Sequence, residues 1–351
     1  MQRVVLAYSG GLVSSAAIGW LAQQRGAEVV TVTIDFGQQR ELAAVRERAL
    51  ALGAVRAHVV DGREEFVRDY MLPALQAGAL KDGYALSSPL VARRLVDIAR
   101  MEAATAVAHG GEPGTDVEAA LHTAIRSLDS ALEVIAPARE WGMSDIELVA
   151  FARKQGVHVP PPSRYRIDAS LWGRVVTASS EAPMNEEVFT LTREVAECPD
   201  QPALLDIHFA AGVPVRANGV EMPMIEMIES LETIAGAHGV GRTRSGGAVT
   251  EAPAATVLAA AHHDLETHVV GADLARLKEQ LSHIYSDAMA GGRWFSDIRI
   301  AIDAFTHVLQ PRVEGAVTLE LLKGKCTVMR RVSPHAAATV PDESCTSKEV
   351  A

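Results

Sequence analysis

The chain opens on a short apolar run, Val4-Val5-Leu6, then a glycine pair, Gly10-Gly11, then the small and apolar positions Ala16-Ala17-Ile18-Gly19-Trp20-Leu21. That order predicts a strand, a tight turn and a helix N-terminus. The alternation continues through the first half. Residues 28–34 read as a buried strand ending in Asp35-Phe36-Gly37-Gln38, residues 41–52 as an amphipathic helix, and residues 57–61 as a third strand. Residues 64–77 and 90–102 read as helices, and 105–111 as a strand running into a glycine turn. Residues 133–136 are the last strand of the series and 144–155 its last helix. Strands alternating with helices predict a doubly wound, parallel α/β sheet. Ligands sit beyond the carboxyl ends of such strands, and residues 9–15, 35–38 and 109–116 all fall there.

Pro160-Pro161-Pro162 breaks the pattern, which divides the chain into a domain over 1–162 and a second over 163–332. In the second, residues 204–209 and 213–215 are short strands and Asn218-Gly219 is a hairpin turn signal. Helices are predicted over 224–238, 254–268, 274–289 and 299–309. A closing hairpin, 314–322 with 325–332, turns at Lys323-Gly324. This is an α+β arrangement. Residues 333–351 are polar and rich in Ala and Ser, and read as a disordered tail.

Composition narrows the classes. Of 351 residues, 48% are hydrophobic and 22% charged, which is globular, and the net charge of -11 argues against nucleic acid or an anionic membrane as partner. No apolar run approaches roughly 18 residues, so no membrane-spanning helix is predicted. Met1-Gln2-Arg3 leads straight into a strand and reads as no signal peptide. Cys198, Cys326 and Cys345 are scattered and suggest neither a zinc site nor a disulfide framework, so no metal site is predicted and a reduced cytoplasmic protein is expected.

The chemistry gathers at the strand ends. Two glycines let a phosphate approach the backbone, the helix N-terminus attracts it, and Ser9, Ser14 and Ser15 add hydroxyls. Ala7, Ser9, Gly10, Gly11, Ser14, Ser15, Thr33, Asp35, Gly37, Gln38 and Gly110 form the expected nucleotide site. His109 reads as a hydrogen-bonded core histidine, and His262-His263 as helix surface.

Residues 9–15 resemble the S-G-G-x-D-S loop of ATP pyrophosphatases, with Val13 where the loop has Asp. Over nearly its whole length the chain resembles the argininosuccinate synthase family. The carrying stretches include Ala106-Val107-Ala108-His109-Gly110, Ile135-Ala136-Pro137-Ala138-Arg139-Glu140-Trp141, Leu171-Trp172-Gly173-Arg174 and His238-Gly239-Val240-Gly241-Arg242. The resemblance implies a nucleotide-binding α/β domain followed by an α+β synthetase domain. It implies that ATP adenylates the ureido oxygen of citrulline, pyrophosphate leaves, and the amine of aspartate displaces AMP. The family Asp at position 13 would help to hold magnesium on the leaving phosphates.

Other departures fall at substrate positions. Against the family pattern, Thr115 and Asp116 stand for an Asn-Asp pair that meets aspartate, Ser88 for an Arg, and Ala119 for an Arg that meets citrulline. Arg166 and Val175 stand for two serines, and residues 243–250 replace a longer segment. The expectation is a divergent ATP-dependent C–N ligase whose acceptor is not citrulline. Asp116 and Ser15 would take part in the chemistry, Thr115, Asp116, Arg166 and Ser88 would meet substrate, and Arg166 would clamp its anion. Two alternatives stand beside it: a non-catalytic, nucleotide-binding or regulatory paralogue, and argininosuccinate synthesis itself. A homo-oligomer is expected. The family's C-terminal arm, which interlocks its tetramer, has no counterpart after the last hairpin, so that tetramer is not implied.

Overall fold

The computed structural model describes residues 2–38, 41–79, 83–111, 114–159, 164–178, 184–245 and 247–335. β1 (Arg3–Ala7) is followed by α1 (Leu12–Arg25), which Gly26 ends in the left-handed conformation, φ +57°. β2 (Glu28–Asp35), α2 (Leu42–Ala51) and β3 (Arg56–Asp61) complete one wing of the first sheet. A helical run follows, α3 (Arg63–Phe66), a π-helical turn (Val67–Met71) and α4 (Leu72–Ala77). α5 (Gly83–Met101), β4 (Ala106–Ala108), α6 (Asp116–Leu128), β5 (Glu133–Ile135), α7 (Pro137–Glu140) and α8 (Asp145–Lys154) complete the series.

All five strands are parallel, in the order β3-β2-β1-β4-β5. Successive residues of a strand face opposite layers. Val4 and Leu6 therefore pack with Ile18, Leu21 and Val45 of α1 and α2, whereas Val5 packs with Leu90, Leu95 and Ile125 of α5 and α6. The chain leaves β1 in one direction to β2 and β3 and returns on its other side to β4. The reversal opens a crevice between β1 and β4 at their carboxyl ends.

Two points of the first half differ from expectation. α5 starts seven residues before the predicted helix and carries Pro89 inside it, because the buried Leu86, Leu90 and Leu95 hold one face of the whole segment against the sheet. α6 was not expected at all, although Thr115-x-x-Glu118 is a helix-start signature. The predicted break at 160–162 lies outside the described residues.

The second half begins with a hairpin, β6 (Tyr165–Ser170) and β7 (Gly173–Ala178). Then come β8 (Ala203–Ala210), β9 (Val213–Ala217), β10 (Val220–Glu221) and α9 (Met224–Ala237). A second hairpin, β11 (Arg242–Ser245) and β12 (Ala248–Glu251), leads into α10 (Pro253–Val269), α11 (Ala272–Ala290) and α12 (Asp297–Leu309). β13 (Gly315–Leu322) and β14 (Lys325–Val332) close it. One antiparallel sheet runs β10-β9-β8-β13-β14 and the other β11-β12-β7-β6. The two hairpins of the second sheet escaped the pattern reading because their strands mix charged and small residues with few apolar ones, even where they are buried, as at Arg174, Val176, Val249 and Glu251. Asn218-Gly219 and Lys323-Gly324 turn as expected, each residue at positive φ.

The halves share a core. Phe66, Tyr70, Trp294 and Tyr285 form a row of ring contacts, with centroids 6.4, 5.2 and 5.8 Å apart, the first pair stacked and the last edge-to-face. His262 is not surface: it is buried, and its Nε2 lies 2.9 Å from Gln310 Oε1, in a network with Glu266 and Lys278. Ser333 is tied down, its Oγ donating to Glu314 O at 2.7 Å, and the rest of the expected tail, 336–351, lies outside the described residues. No described helix is long and apolar enough to cross a membrane.

Two stability predictions follow from buried charge. Glu251 is 0% exposed and accepts the amides of Thr190, Leu191 and Thr192 at 2.9–3.0 Å while pairing with Arg174. Removing it strands a buried guanidinium, so Glu251→Ala should lower unfolding free energy by about 3–5 kcal/mol in denaturant titration. His262 is held neutral by burial, its pKa pushed down from 6.5 to about 4. Between those values the unfolded chain binds a proton that the native chain refuses, so stability present above about pH 6.5 is lost as pH falls toward 4. The unfolding free energy from denaturant titrations across that range should fall by up to about 1.4 kcal/mol per pH unit less steeply in His262→Gln.

Candidate active site

The phosphate-loop candidate is built by β1 handing over to α1. Tyr8 N donates to Val32 O at 2.8 Å and Thr33 Oγ1 donates to Tyr8 O at 2.8 Å, so β2 fixes where the loop leaves the sheet. Gly10 sits at φ +74°, a conformation that side chains disfavour. Around the glycines the hydroxyls form a ring: Ser9 Oγ lies 3.2 Å from Ser14 Oγ, Ser14 Oγ donates to Gly11 O at 3.2 Å, and Gly11 N donates to Ser9 Oγ at 3.4 Å. The first-turn amides of residues 12–14 have no carbonyl four residues back to accept them, which leaves the positive end of α1 facing the crevice. Ser15 is turned inward instead. It is 1% exposed, and its Oγ lies 3.1 Å from Tyr8 Oη.

The next strand end is organised by its own side chains. Asp35 Oδ1 accepts Gly37 N at 2.9 Å, and Gln38 bonds Phe36 N at 2.8 Å and Ile34 O at 2.6 Å. Gly37, at φ +90°, is where the second half docks. A Cβ there would lie 2.5 Å from Leu171 Cγ, and Leu171 N donates to Phe36 O at 2.9 Å. The β6–β7 turn therefore closes over the end of β2.

Across the crevice, Gly110 follows β4 and lies against the start of α1; a Cβ on it would be 3.3 Å from Val13 Cγ1 and 3.5 Å from Ser14 N. His109 is 1% exposed, as a core histidine should be. Gly111 N donates to its Nδ1 at 3.2 Å, which puts the proton of the neutral ring on Nε2. Burial holds the ring neutral, its pKa pushed down to about 4, and Nε2 has no hydrogen-bond partner among the described residues.

Thr115, not Asp116, caps α6: its Oγ1 accepts Glu118 N at 3.3 Å, and Asp116 is the exposed first residue of the helix. Glu118 was missed from sequence. It is 3% exposed at the heart of this loop, accepting Gly114 N at 2.9 Å and Arg139 Nη2 at 2.6 Å. Burial pushes its carboxyl up, but the Gly114 amide and Arg139 outweigh that and hold it below the usual carboxylate range. The signal that could have found it is the helix-start signature, with Arg139 in a stretch already singled out.

The expected substrate residues are less closely gathered. Ser88 is buried inside α5. Arg166 lies on β6 with its Nε 3.3 Å from Asp168 Oδ2, so its charge is already paired. Ala119 is exposed on α6 and Val175 half-buried on β7, and neither carries a charge. Among the described residues no group of three His, Cys, Asp or Glu could hold a metal ion.

Known proteins share this layout at the level of sequence. The family model "Arginosuccinate synthase N-terminal HUP domain" matches residues 3–158, and "Arginosuccinate synthase C-terminal domain" matches residues 165–349. The chain is similar to argininosuccinate synthases of Dehalococcoides mccartyi, 41% identical over 95% of this chain and 87% of that one, and of Acaryochloris marina, 41% over 97% and 90%. That of Rubrobacter xylanophilus is 39% identical over 95% of this chain and 87% of its own. With both models matched and this identity sustained from end to end, the chain belongs to the argininosuccinate synthase family.

Proposed function

We propose that this chain is an ATP-dependent, AMP-forming ligase that makes C–N bonds between small amino-acid-like substrates. The carrying observation is the phosphate-loop geometry at the β1–β4 crevice of a chain that matches the family throughout. The site fits a triphosphate. Glycines at 10 and 11 admit close approach, the amides of 12–14 point to the crevice, and Ser9 and Ser14 ring the loop with hydroxyls. Ala7, Thr33, Asp35, Gly37, Gln38 and Gly110 complete the nucleotide site in this reading, with 1–162 supplying ATP and 163–332 the acceptor. Magnesium accompanying the ATP would receive no side-chain oxygen from Val13.

The reaction balances as two displacements. An oxygen of the acceptor attacks the α-phosphorus, the P–O bond to pyrophosphate breaks, and the α1 N-terminus stabilises the departing charge. An amine then attacks the activated carbon, the C–O bond to AMP breaks, and the amine loses a proton. In this reading exposed Asp116 orients an aspartate-like amine, with Thr115 fixing the helix it starts. Ser15, locked to Tyr8, supports the loop rather than touching ATP.

The acceptor we favour is not citrulline. A zwitterion needs charge partners when it leaves water, and unpaired polar groups cost about 1–3 kcal/mol each. Ala119 and Val175 supply no such partner, Ser88 is inside a helix, and Arg166, which would clamp the acceptor's anion, shares its charge with Asp168. A second reading, argininosuccinate synthesis itself, is favoured by the 41% identity to synthases over 95% of the chain.

Two measurements test this. The purified chain, screened against amino-acid and ureido compounds, should show acceptor-dependent ATP–pyrophosphate exchange with a compound other than citrulline. Exchange with citrulline would establish the second reading, and measurable ATP binding without AMP release for any compound would establish a non-catalytic paralogue. Val13→Asp should raise AMP release from ATP, up to roughly 10²–10³-fold, by returning one charge stabiliser to the loop. An unchanged rate would show that position 13 does not limit ATP cleavage.

A further inference from the structure

Arg48 lies on α2, outside the motifs quoted for the family likeness though within the span that the family model matches. Its Nη1 donates to Gly10 O at 3.0 Å, and the guanidinium lies 3.7 Å from where a Gly10 side chain would begin. Its charge also bears on the Tyr8 phenol, which is bonded to Ser15 on the inner side of the same loop. Arg48 is exposed, and no carboxylate among the described residues lies within ion-pair distance of it. The other arginines near the site differ: Arg63 pairs with Asp61, Arg139 with Glu118, Arg166 with Asp168 and Arg174 with Glu251.

The Gly10 carbonyl uses one of five guanidinium N–H groups, and the fork is planar and always charged. Such a fork matches two oxygens of a phosphate. We propose that Arg48 is a phosphate-contacting residue of the loop, bridging Gly10 O and the outer phosphates of a nucleoside triphosphate. This rests on the reading of residues 9–15 as the ATP site and adds a residue to it. When pyrophosphate departs, negative charge grows on those outer oxygens. A fixed cation beside the loop stabilises that charge directly, at a loop whose position 13 offers no side-chain oxygen to a metal.

A brace that merely holds Gly10 would act on every nucleotide alike, whereas a phosphate contact discriminates. Calorimetric titration of the full chain with ATP and with AMP, for wild type, Arg48→Ala, Arg48→Gln and Arg48→Lys, separates the two. Expected is a roughly 10–100-fold weaker ATP affinity in Arg48→Ala and Arg48→Gln, AMP affinity within about twofold, and partial recovery of ATP affinity in Arg48→Lys, which keeps the charge without the fork. Equal losses for ATP and AMP, or no loss for ATP, would overturn the phosphate contact while leaving the ATP site standing. Wild type that binds neither nucleotide would overturn the site and this residue's role together.

Discussion

The close passage of two backbones at the β1–β4 crevice is the constraint on which the rest of the site depends. Gly110 follows β4 in contact with the first turn of α1: a Cβ there would lie 3.3 Å from Val13 Cγ1, which would have to give by a few tenths of an ångström, and at ordinary contact distance, 3.5 Å, from Ser14 N. That contact sets the distance between the loop after β1 and the loop after β4. It brings His109, Gly111 and the start of α6 to the same opening as Gly10 and Gly11. A third participant reaches over from the second half, where Leu171 packs on Gly37 and its amide bonds Phe36. One opening is thus bounded by three segments that are far apart in the chain, each held at a place where a glycine permits contact.

Where no sheet ladder can hold the irregular stretches, buried carboxylates do. Glu251 collects three consecutive amides of residues 190–192, and Glu118 collects the Gly114 amide across its own helix start. Each also binds an arginine. An ionised carboxylate in the interior is costly unless its oxygens are satisfied, so these groups order the backbone they bond: release of the segment would leave the charge stranded. The arrangement differs at the two places. Arg174 is buried with its partner, which makes a closed structural joint, whereas Arg139 is 63% exposed.

Sequence reading succeeded where the determinants are local. The runs Val4-Val5-Leu6 and Val29-Val30 are β-branched and apolar because both faces of a parallel strand are covered, and the glycine and serine loop is contiguous. It failed where a partner is distant. Glu118 and Arg139 lie 21 residues apart, Arg48 and Gly10 lie 38 apart, and Glu251 serves an arginine 77 residues away. His262 looked like surface because its neighbours His263 and Asp264 are polar, and only the approach of Gln310 and Lys278 from other elements makes it core. Ser88 was placed before a helix because Pro89 follows it, yet packing of Leu86 and Leu90 carries the helix through both.

The same division between buried and exposed positions separates what the scaffold fixes from what it leaves free. Packed positions such as Leu6, Ile18 and Trp172 are constrained by every neighbour, and changes there cost stability. Ala119, Asp116 and Arg166 face outward, where replacement carries little folding penalty. Nucleotide contacts of the main-chain kind belong with the scaffold, because sheet geometry and glycine conformation produce them whatever the acceptor. Val13 lies between the two regimes. Its side chain packs toward Leu148 and Gly110, as a core residue does, while its amide belongs to the phosphate loop. At that junction the valine adds apolar contact between α1, α8 and the β4 end, and its side chain presents no charge to the opening.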